Sequence, residues 1–534
     1  AFRLRRFGVI ARNGVPFAFT DDPAVSGGPP AGHPAMLRVR MPLGPVAMFS
    51  ASNFPFAFSV LGGDTASALA AGCSVVVKAH PGHPQTSRRV HGLVQQILQA
   101  PGLPSGLVGM VQGAGHEVGV GLIQHPLIAA GAFTGSTRGG AALQAAARQR
   151  RRPIPFYGEL GSINPVVATP AALQAGGEAL AQTLAGSITL GCGQFCTNPG
   201  LLVFQRSEAS SAFVQLLLQA LKAQQPHAML TQGMRHALDA GTRAQLAAGA
   251  SALLHEPVDS LNPRPFLAEV DAATFVANEQ LHEEVFGPAS LIVWTESVAQ
   301  TVQVLQAVGG SLTVTLWGAD QDTPETRALV RGAMAMCGRV LFAGVPTGVA
   351  VTAAQQHGGP WPSSTEPMST SVGDAALDRF LRPVALQDTP AWLVQRQGRE
   401  GDVARHRHGR PQHVDQLHGS GVGVQRAPID VPVERDSCQH RVRITGQRPG
   451  TRVLDQVARP RLRAGTLTRS RPVPVPDTPG ALDHREEIAG PLGQHLGGQR
   501  HAGPPAHRGA QHLRHGFMQH HLWQVLPRAG RLLP

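Results

Sequence analysis

Between Pro45 and Phe133 the sequence alternates short apolar runs with longer amphipathic segments, and few folds accommodate that alternation. Pro45–Ser50 and Ser74–Lys78 are apolar on successive residues, as expected of strands buried on both faces. Phe58–Ala71 and Gln85–Ala100 read as helices, stopped by Gly72 and by Pro101-Gly102. Leu107–Val111 and Ala129–Phe133 continue the series. Strand and helix in strict turn predict an α/β fold with a doubly wound parallel sheet. Phe133-Thr134 then runs into Gly135-Ser136 and a helix start at Thr137. The backbone N–H groups of such a start can receive a phosphate. The same residues also read as an ordinary strand-to-helix turn with an N-cap.

A second α/β unit carries a cysteine in a glycine-rich turn. The helical pattern Ala172–Leu190 leads into Gly191-Cys192-Gly193-Gln194-Phe195-Cys196, and the apolar run Leu201–Phe204 follows. A thiol held between regular elements, with Glu159 of Phe156-Tyr157-Gly158-Glu159 upstream, points to covalent catalysis on a carbonyl. A lone cysteine is more commonly an inert small hydrophobe, which is the reading for Cys73, Cys192 and Cys337. Glu159 alone would pass for a capping or surface carboxylate, Asn53 for a turn residue and Lys78 for a snorkelling strand-end lysine.

Composition narrows the class. The net charge of +12 resides in the last quarter: residues 391–534 hold 22 Arg against 11 Asp plus Glu, a surplus of 11, which leaves about +1 for residues 1–390. Only two lysines occur, Lys78 and Lys222. Five scattered cysteines form neither a disulfide framework nor a paired zinc motif, so a reducing cytoplasm and no metal are expected. No run of 18 apolar residues suits a membrane span.

Gly193-Gln194-Phe195-Cys196 and Glu159-Leu160-Gly161, in this order and separation, resemble the two signature segments of the aldehyde dehydrogenase superfamily. Pro153 to Glu159 with Ser162-Ile163-Asn164-Pro165 resembles its NADP-dependent branch, which includes 2-oxoglutarate semialdehyde (2,5-dioxopentanoate) dehydrogenase. Glu284-Val285-Phe286-Gly287-Pro288, Gly344 to Gly348 and His357-Gly358-Gly359-Pro360 match further segments. The resemblance implies Cys196 as nucleophile, Glu159 as general base and Asn53, in Asn-Phe-Pro, as oxyanion donor. It implies cofactor binding by Lys78, Gly135, Ser136, Glu284 and Phe286. NADP is the expected cofactor, with NAD possible, because Pro81 stands where many NAD-preferring relatives carry glutamate; His80 or Arg88 could assist a 2′-phosphate. The substrate implied is 2-oxoglutarate semialdehyde, fatty aldehydes remaining the alternative, and a homo-oligomer is possible.

The resemblance divides the chain into an irregular or truncated segment, 1–35, a cofactor domain, 36–158, incomplete at its start, a catalytic domain, 159–373, and a terminal oligomerisation strand, 374–388. Met36–Met41 is expected as a remnant hairpin strand. Residues 389–534 are rich in Arg, His, Pro and Gly, lack lysine and apolar periodicity, and are expected to be disordered or a non-native reading frame. Polyanion binding by this tail, or an inactive fragment, are the competing readings. Few aromatics (Trp392, Phe517, Trp523) weigh against nucleic acid. The tail histidines, including His406, His408, His520 and His521, follow no zinc spacing.

Overall fold

The computed structural model describes residues 2–394 apart from 18, 258 and 259. The tail and its histidines therefore fall outside the described residues, except for residues 389–394, which include the short helix Ala391–Val394. Strand β1 (Thr20–Asp22) pairs antiparallel with β2 (Met36–Pro42). The chain then builds β3 (Val46–Phe49), β4 (Val75–Lys78), β5 (Val108–Val111), β6 (Ala130–Thr134) and β7 (Phe156–Glu159). These form one parallel sheet in the order β5-β4-β3-β6-β7. The order reverses between β3 and β6, and the crevice beyond the strand ends there is where open α/β sheets take ligands.

A second sheet follows from β8 (Val166–Ala168), β9 (Leu201–Gln205), β10 (Ser251–Leu254), β11 (Phe266–Asp271), β12 (Ala289–Thr295), β13 (Ser311–Trp317) and β14 (Cys337–Leu341). Its order is β10-β11-β12-β9-β8-β13-β14, with only β10 antiparallel to its neighbour. Finally β15 (Leu381–Gln387) returns to pair antiparallel with all of β2, from Leu381 opposite Pro42 to Gln387 opposite Met36.

Alternate residues of single strands enter different cores. In β3, Val46 and Met48 pack on one face and Ala47 and Phe49 on the other. In β9, Leu201 and Val203 oppose Leu202 and Phe204. This double burial explains the continuous apolar runs, since a parallel sheet covered on both sides has no solvated face. Each such side chain contributes about 1.5–3 kcal/mol on burial.

Two expectations need correction. The helix over Phe58–Ala71 begins only at Gly63 and runs to Ala70. Gly62 N–H donates to the Ser59 carbonyl at 2.7 Å and closes a tight turn, where a Cβ on Gly62 would meet Ser59 N at 2.6 Å. Residues 1–35 are not wholly irregular either: Phe2–Arg12 is a helix. Its Phe7 is buried against the same core as Val46 and Val77. Arg3 Nη1 donates to the Ala57 carbonyl at 2.9 Å and stacks over Phe58, while Arg6 pairs with Asp374. A buried pair ties the return strand's approach to the helix at Gly63: Arg379 Nη2 donates to Asp64 Oδ1 at 2.7 Å.

Candidate active site

The cysteine turn is built from backbone that few residues adopt. Gly191, Cys192 and Gly193 have φ of 56°, 60° and 65°, the left-handed region. A Cβ on Gly193 would overlap the Gly287 carbonyl, so the glycine of the cysteine segment is required by the Glu284–Pro288 segment packed upon it. Asn198 Nδ2 donates to the same Gly287 carbonyl at 3.1 Å. Cys192 points away from the turn and donates to the His227 carbonyl at 3.1 Å; burial pushes its thiol up to about 11. It is structural, as expected of its packing.

From beneath, Asn164 secures the turn. It is fully buried and has φ 46°. Its Nδ2 donates to the carbonyls of Cys196 (2.8 Å), Asn198 (2.9 Å) and Ser162 (3.1 Å), and its Oδ1 accepts from Ser162 Oγ and Thr313 Oγ1. In the sequence Asn164 is one residue of Ser162-Ile163-Asn164-Pro165, a segment that by itself assigns it no role. The available signal was its type, since asparagine tolerates the left-handed region better than other side chains that offer two donors.

Cys196 is half-buried and meets two groups. One is Glu159, at the end of β7 and 4% exposed, so the surface-carboxylate alternative fails. The other is His357, 1% exposed, whose Nε2 lies 3.6 Å from Cys196 Sγ and 2.9 Å from Glu159 Oε1. Ser371 Oγ donates to Glu159 Oε2. The segment carrying His357 and Ser371 is fastened to β7: Leu160 N–H donates to the Ser363 carbonyl, and Gly158 N–H to Thr365 Oγ1. Burial opposes ionisation of Glu159, yet the charge and hydrogen bond of His357 with the Ser371 and Cys196 hydrogen bonds hold its carboxyl below the usual range. Burial, then the Glu159 charge, raise the Cys196 thiol well above the usual value. The resting state is a carboxylate beside a protonated thiol. His357 is the site residue that sequence reading missed: the motif was noted, but nothing in it told of a contact 161 residues away.

Asn53 also reaches the turn. Its Nδ2 donates to the Gln194 carbonyl at 2.8 Å, so the amide expected to hold an oxyanion is anchored within the cysteine segment. Phe54 stacks edge-on against Phe195 at 5.1 Å.

Of the residues expected to hold a dinucleotide, Lys78, Gly135 and Ser136 lie at strand ends of the first sheet, and Glu284 and Phe286 precede β12 of the second. Lys78 ends β4 in register with Phe49, and Gly135-Ser136 follow β6. Ser136 caps the helix Thr137–Arg148, accepting from Gly139 N–H and leaving the first-turn N–H groups of Thr137 and Arg138 outside the helical ladder. Glu284 sits where the two sheets meet: a Cβ on Gly161 would lie 2.7 Å from its carboxylate and 2.9 Å from Thr137 Oγ1. Burial pushes Glu284 up to about 8. Phe286 and Glu284 line a small cavity against Ser162, Ile163 and Gly193, beside the cysteine turn. A buried carboxyl held by only the Ser162 backbone, a lysine without an ion-pair partner among the described residues and open helix N–H groups suit a ribose- and phosphate-bearing cofactor. His80 suits a 2′-phosphate poorly, since burial, then His83 and Lys78, lower its pKa to about 4 and keep it neutral.

The fold and this thiol–carboxylate constellation define an NAD(P)-linked aldehyde oxidoreductase class. The sequence pattern described as the aldehyde dehydrogenase family matches residues 28–383, and the chain belongs to that family. Among curated proteins it is similar to the alpha-ketoglutaric semialdehyde dehydrogenase of Acinetobacter baylyi, 40% identical over 78% of each chain. It is 43% identical to alpha-ketoglutaric semialdehyde dehydrogenase 2 of Azospirillum brasilense, over 73% of this chain and 75% of that one. Among solved structures, betaine aldehyde dehydrogenase from Staphylococcus aureus shares the fold with TM-score 0.58 and 21% identity, over 69% and 72% of the two chains. The bifunctional proline utilization A protein gives TM-score 0.59 at 23% identity; the match covers 72% of this chain and 38% of that longer one. No helix among the described residues is long and apolar enough to cross a membrane.

Proposed function

We propose that the chain oxidises 2-oxoglutarate semialdehyde to 2-oxoglutarate through a Cys196 thioester, with NADP as preferred cofactor and NAD accepted. The observation that carries this reading is the mutual approach of Cys196, Glu159 and His357, with the reacting atoms all within 4.8 Å of one another. The substrate assignment draws on the two relatives of that name and on two arginines. The charges of both Arg3 and Arg339 reach Cys196; Arg339 Nη1 and Nη2 donate to the Gly348 and Pro346 carbonyls, and its Nε has no hydrogen-bond partner. A doubly polar, anionic aldehyde matches such a setting better than a fatty one.

In this mechanism Cys196 attacks the aldehyde carbon and gives up its proton as the C–S bond forms. Glu159, already ionised, receives the proton directly or through His357. The Asn53 amide and the Cys196 backbone N–H donate to the developing oxyanion. When bound, NAD(P) would supply the hydride acceptor, and Lys78, the helix start after Gly135-Ser136, Glu284 and Phe286 would hold it. Glu159 releases that first proton to solvent, then takes a proton from the water that attacks the thioester and passes it to the leaving Cys196 sulfur, so that the acid leaves with the thiol restored. The first sheet, within 36–158, would serve the cofactor, residues 159–373 the chemistry, and β15 contacts between subunits. For NADP, the absent acid at Pro81 removes a repulsion, while Glu117, whose charge reaches Lys78, works against it.

The test is reduction of NADP and NAD by the full chain with 2-oxoglutarate semialdehyde, beside Cys196→Ala. Turnover that needs Cys196, with higher kcat/KM for NADP, supports the reading; turnover equal in Cys196→Ala, or none from folded protein, overturns it. A charge-assisted contact is worth about 1.5–3 kcal/mol. Arg339→Gln should therefore raise KM for the semialdehyde roughly tenfold or more and leave that of a neutral straight-chain aldehyde unchanged. Equal changes for both would remove the arginine from substrate recognition.

A further inference from the structure

Cys196 Sγ, Glu159 Oε1 and His357 Nε2 are three donors of the types that bind zinc, brought together from three separate parts of the chain. Zinc with a thiolate at about 2.3 Å and an imidazole at about 2.0–2.1 Å sets those two atoms roughly 3.5 Å apart in a tetrahedron. Cys196 Sγ and His357 Nε2 stand 3.6 Å apart. The imidazole–carboxylate edge, 2.9 Å here, would open by a few tenths of an ångström. Glu159, 4% exposed, turns Oε1 toward the other two donors, 2.9 Å from His357 Nε2, so its lone pairs already face the centre of the cluster. Each donor is held in place: Glu159 by Ser371, the Cys196 carbonyl by Asn164, and the His357 backbone by Thr370 and by the same Ser371.

We propose that Cys196, Glu159 and His357 form a three-ligand Zn2+ site, with the fourth position open to water, that reversibly switches the enzyme off. On binding, the Cys196 thiol loses its proton to solvent and a Zn–S bond replaces the S–H bond; the proton between His357 Nε2 and Glu159 leaves to solvent or to Nδ1, so that neutral His357 gives its Nε2 lone pair and Glu159 a carboxylate oxygen. No electron is transferred. One thiolate and one carboxylate neutralise the dication, so no net charge is buried. The ion occupies nucleophile and base together, which is why binding and turnover exclude each other. The site follows from the three side chains alone and does not depend on which aldehyde is oxidised.

The full chain contains 24 histidines and five cysteines, so total zinc uptake is not diagnostic. The readout is instead alkylation of Cys196 by iodoacetamide, followed by peptide mass spectrometry with and without Zn2+. Zinc should slow labelling of Cys196 tenfold or more, leave Cys73 and Cys337 unaffected, and be reversed by EDTA. His357→Gln should lose the protection while Cys196 still alkylates. A second measurement on the wild-type chain guards against misfolding of that variant: Co2+ should give a thiolate-to-metal charge-transfer band that is missing in Cys196→Ala. Cys196 labelling indifferent to Zn2+, protection surviving in a folded His357→Gln, or no Cys196-dependent cobalt band would each overturn the site. None of these readouts uses turnover, so failure of the zinc site leaves the dehydrogenase reading standing, and the converse.

Discussion

Replacing Asn164 by alanine should cripple the active site without touching substrate. Its amide donates to the Cys196 and Asn198 carbonyls at 2.8 and 2.9 Å in a fully buried setting. A buried group left unsatisfied costs about 1–3 kcal/mol, which applies to the Cys196 carbonyl; the Asn198 carbonyl keeps the Gly200 N–H and loses one bond worth about 0.5–1.5 kcal/mol, about 1.5–4.5 kcal/mol together before the loop relaxes. A further cost of about 1 kcal/mol arises because alanine is less at ease than asparagine at φ 46°. If roughly 3 kcal/mol of this appears as displacement of the turn, kcat falls about 100-fold. Asn164→Gly separates the contributions: it relieves the backbone but still lacks the amide, so it should recover only a few-fold of the loss. The assay is kcat with the semialdehyde, beside the Cys196 alkylation rate in folded protein. An Asn164→Ala enzyme with kcat within threefold of wild type, or an Asn164→Gly enzyme fully restored, would refute the view that these hydrogen bonds hold the nucleophile in place.

Three other perturbations follow from the same geometry. Glu159→Gln removes a negative charge that raises the Cys196 pKa, so the pH midpoint of Cys196 alkylation should move down; an unchanged or raised midpoint contradicts the coupling. Glu284, with folded pKa raised to about 8, keeps its proton after the unfolded chain has released its own; without cofactor, stability should therefore fall as pH rises from about 4.5 through 8, and Glu284→Gln should flatten that slope in urea titrations at several pH values. Asp64→Asn leaves the buried Arg379 guanidinium without its counter-charge and should lower unfolding free energy by about 3–5 kcal/mol, read from the urea midpoint; a loss under 1 kcal/mol would mean that Arg379 finds another partner.

Much of the core was legible beforehand because strands buried on both faces advertise themselves: Val75-Val76-Val77 and Leu201 to Phe204 have no polar side to show. The helix start at Gly63 was misplaced because Phe58 to Leu61 are apolar, and only the Gly62 turn shows that they precede the helix. The N-terminal helix carried little signal of its own; Phe7 and Arg3 gain their partners from the first sheet's core and from Ala57. Helix stability of that kind comes from tertiary docking rather than propensity.

By itself the sequence determined the α/β alternation, the family, and the cysteine and carboxylate segments, because those depend on residue type and near-neighbour spacing. Only the tertiary structure decided what surrounds them. His357 meets Cys196 across 161 residues and Ser371 meets Glu159 across 212. Asn164 is silent until β8 and the cysteine turn are side by side, and Arg3 approaches the site from the chain's first helix. Contacts of that range are fixed by how sheets stack and loops close, and a linear pattern carries no record of which distant side chains will share a dry pocket.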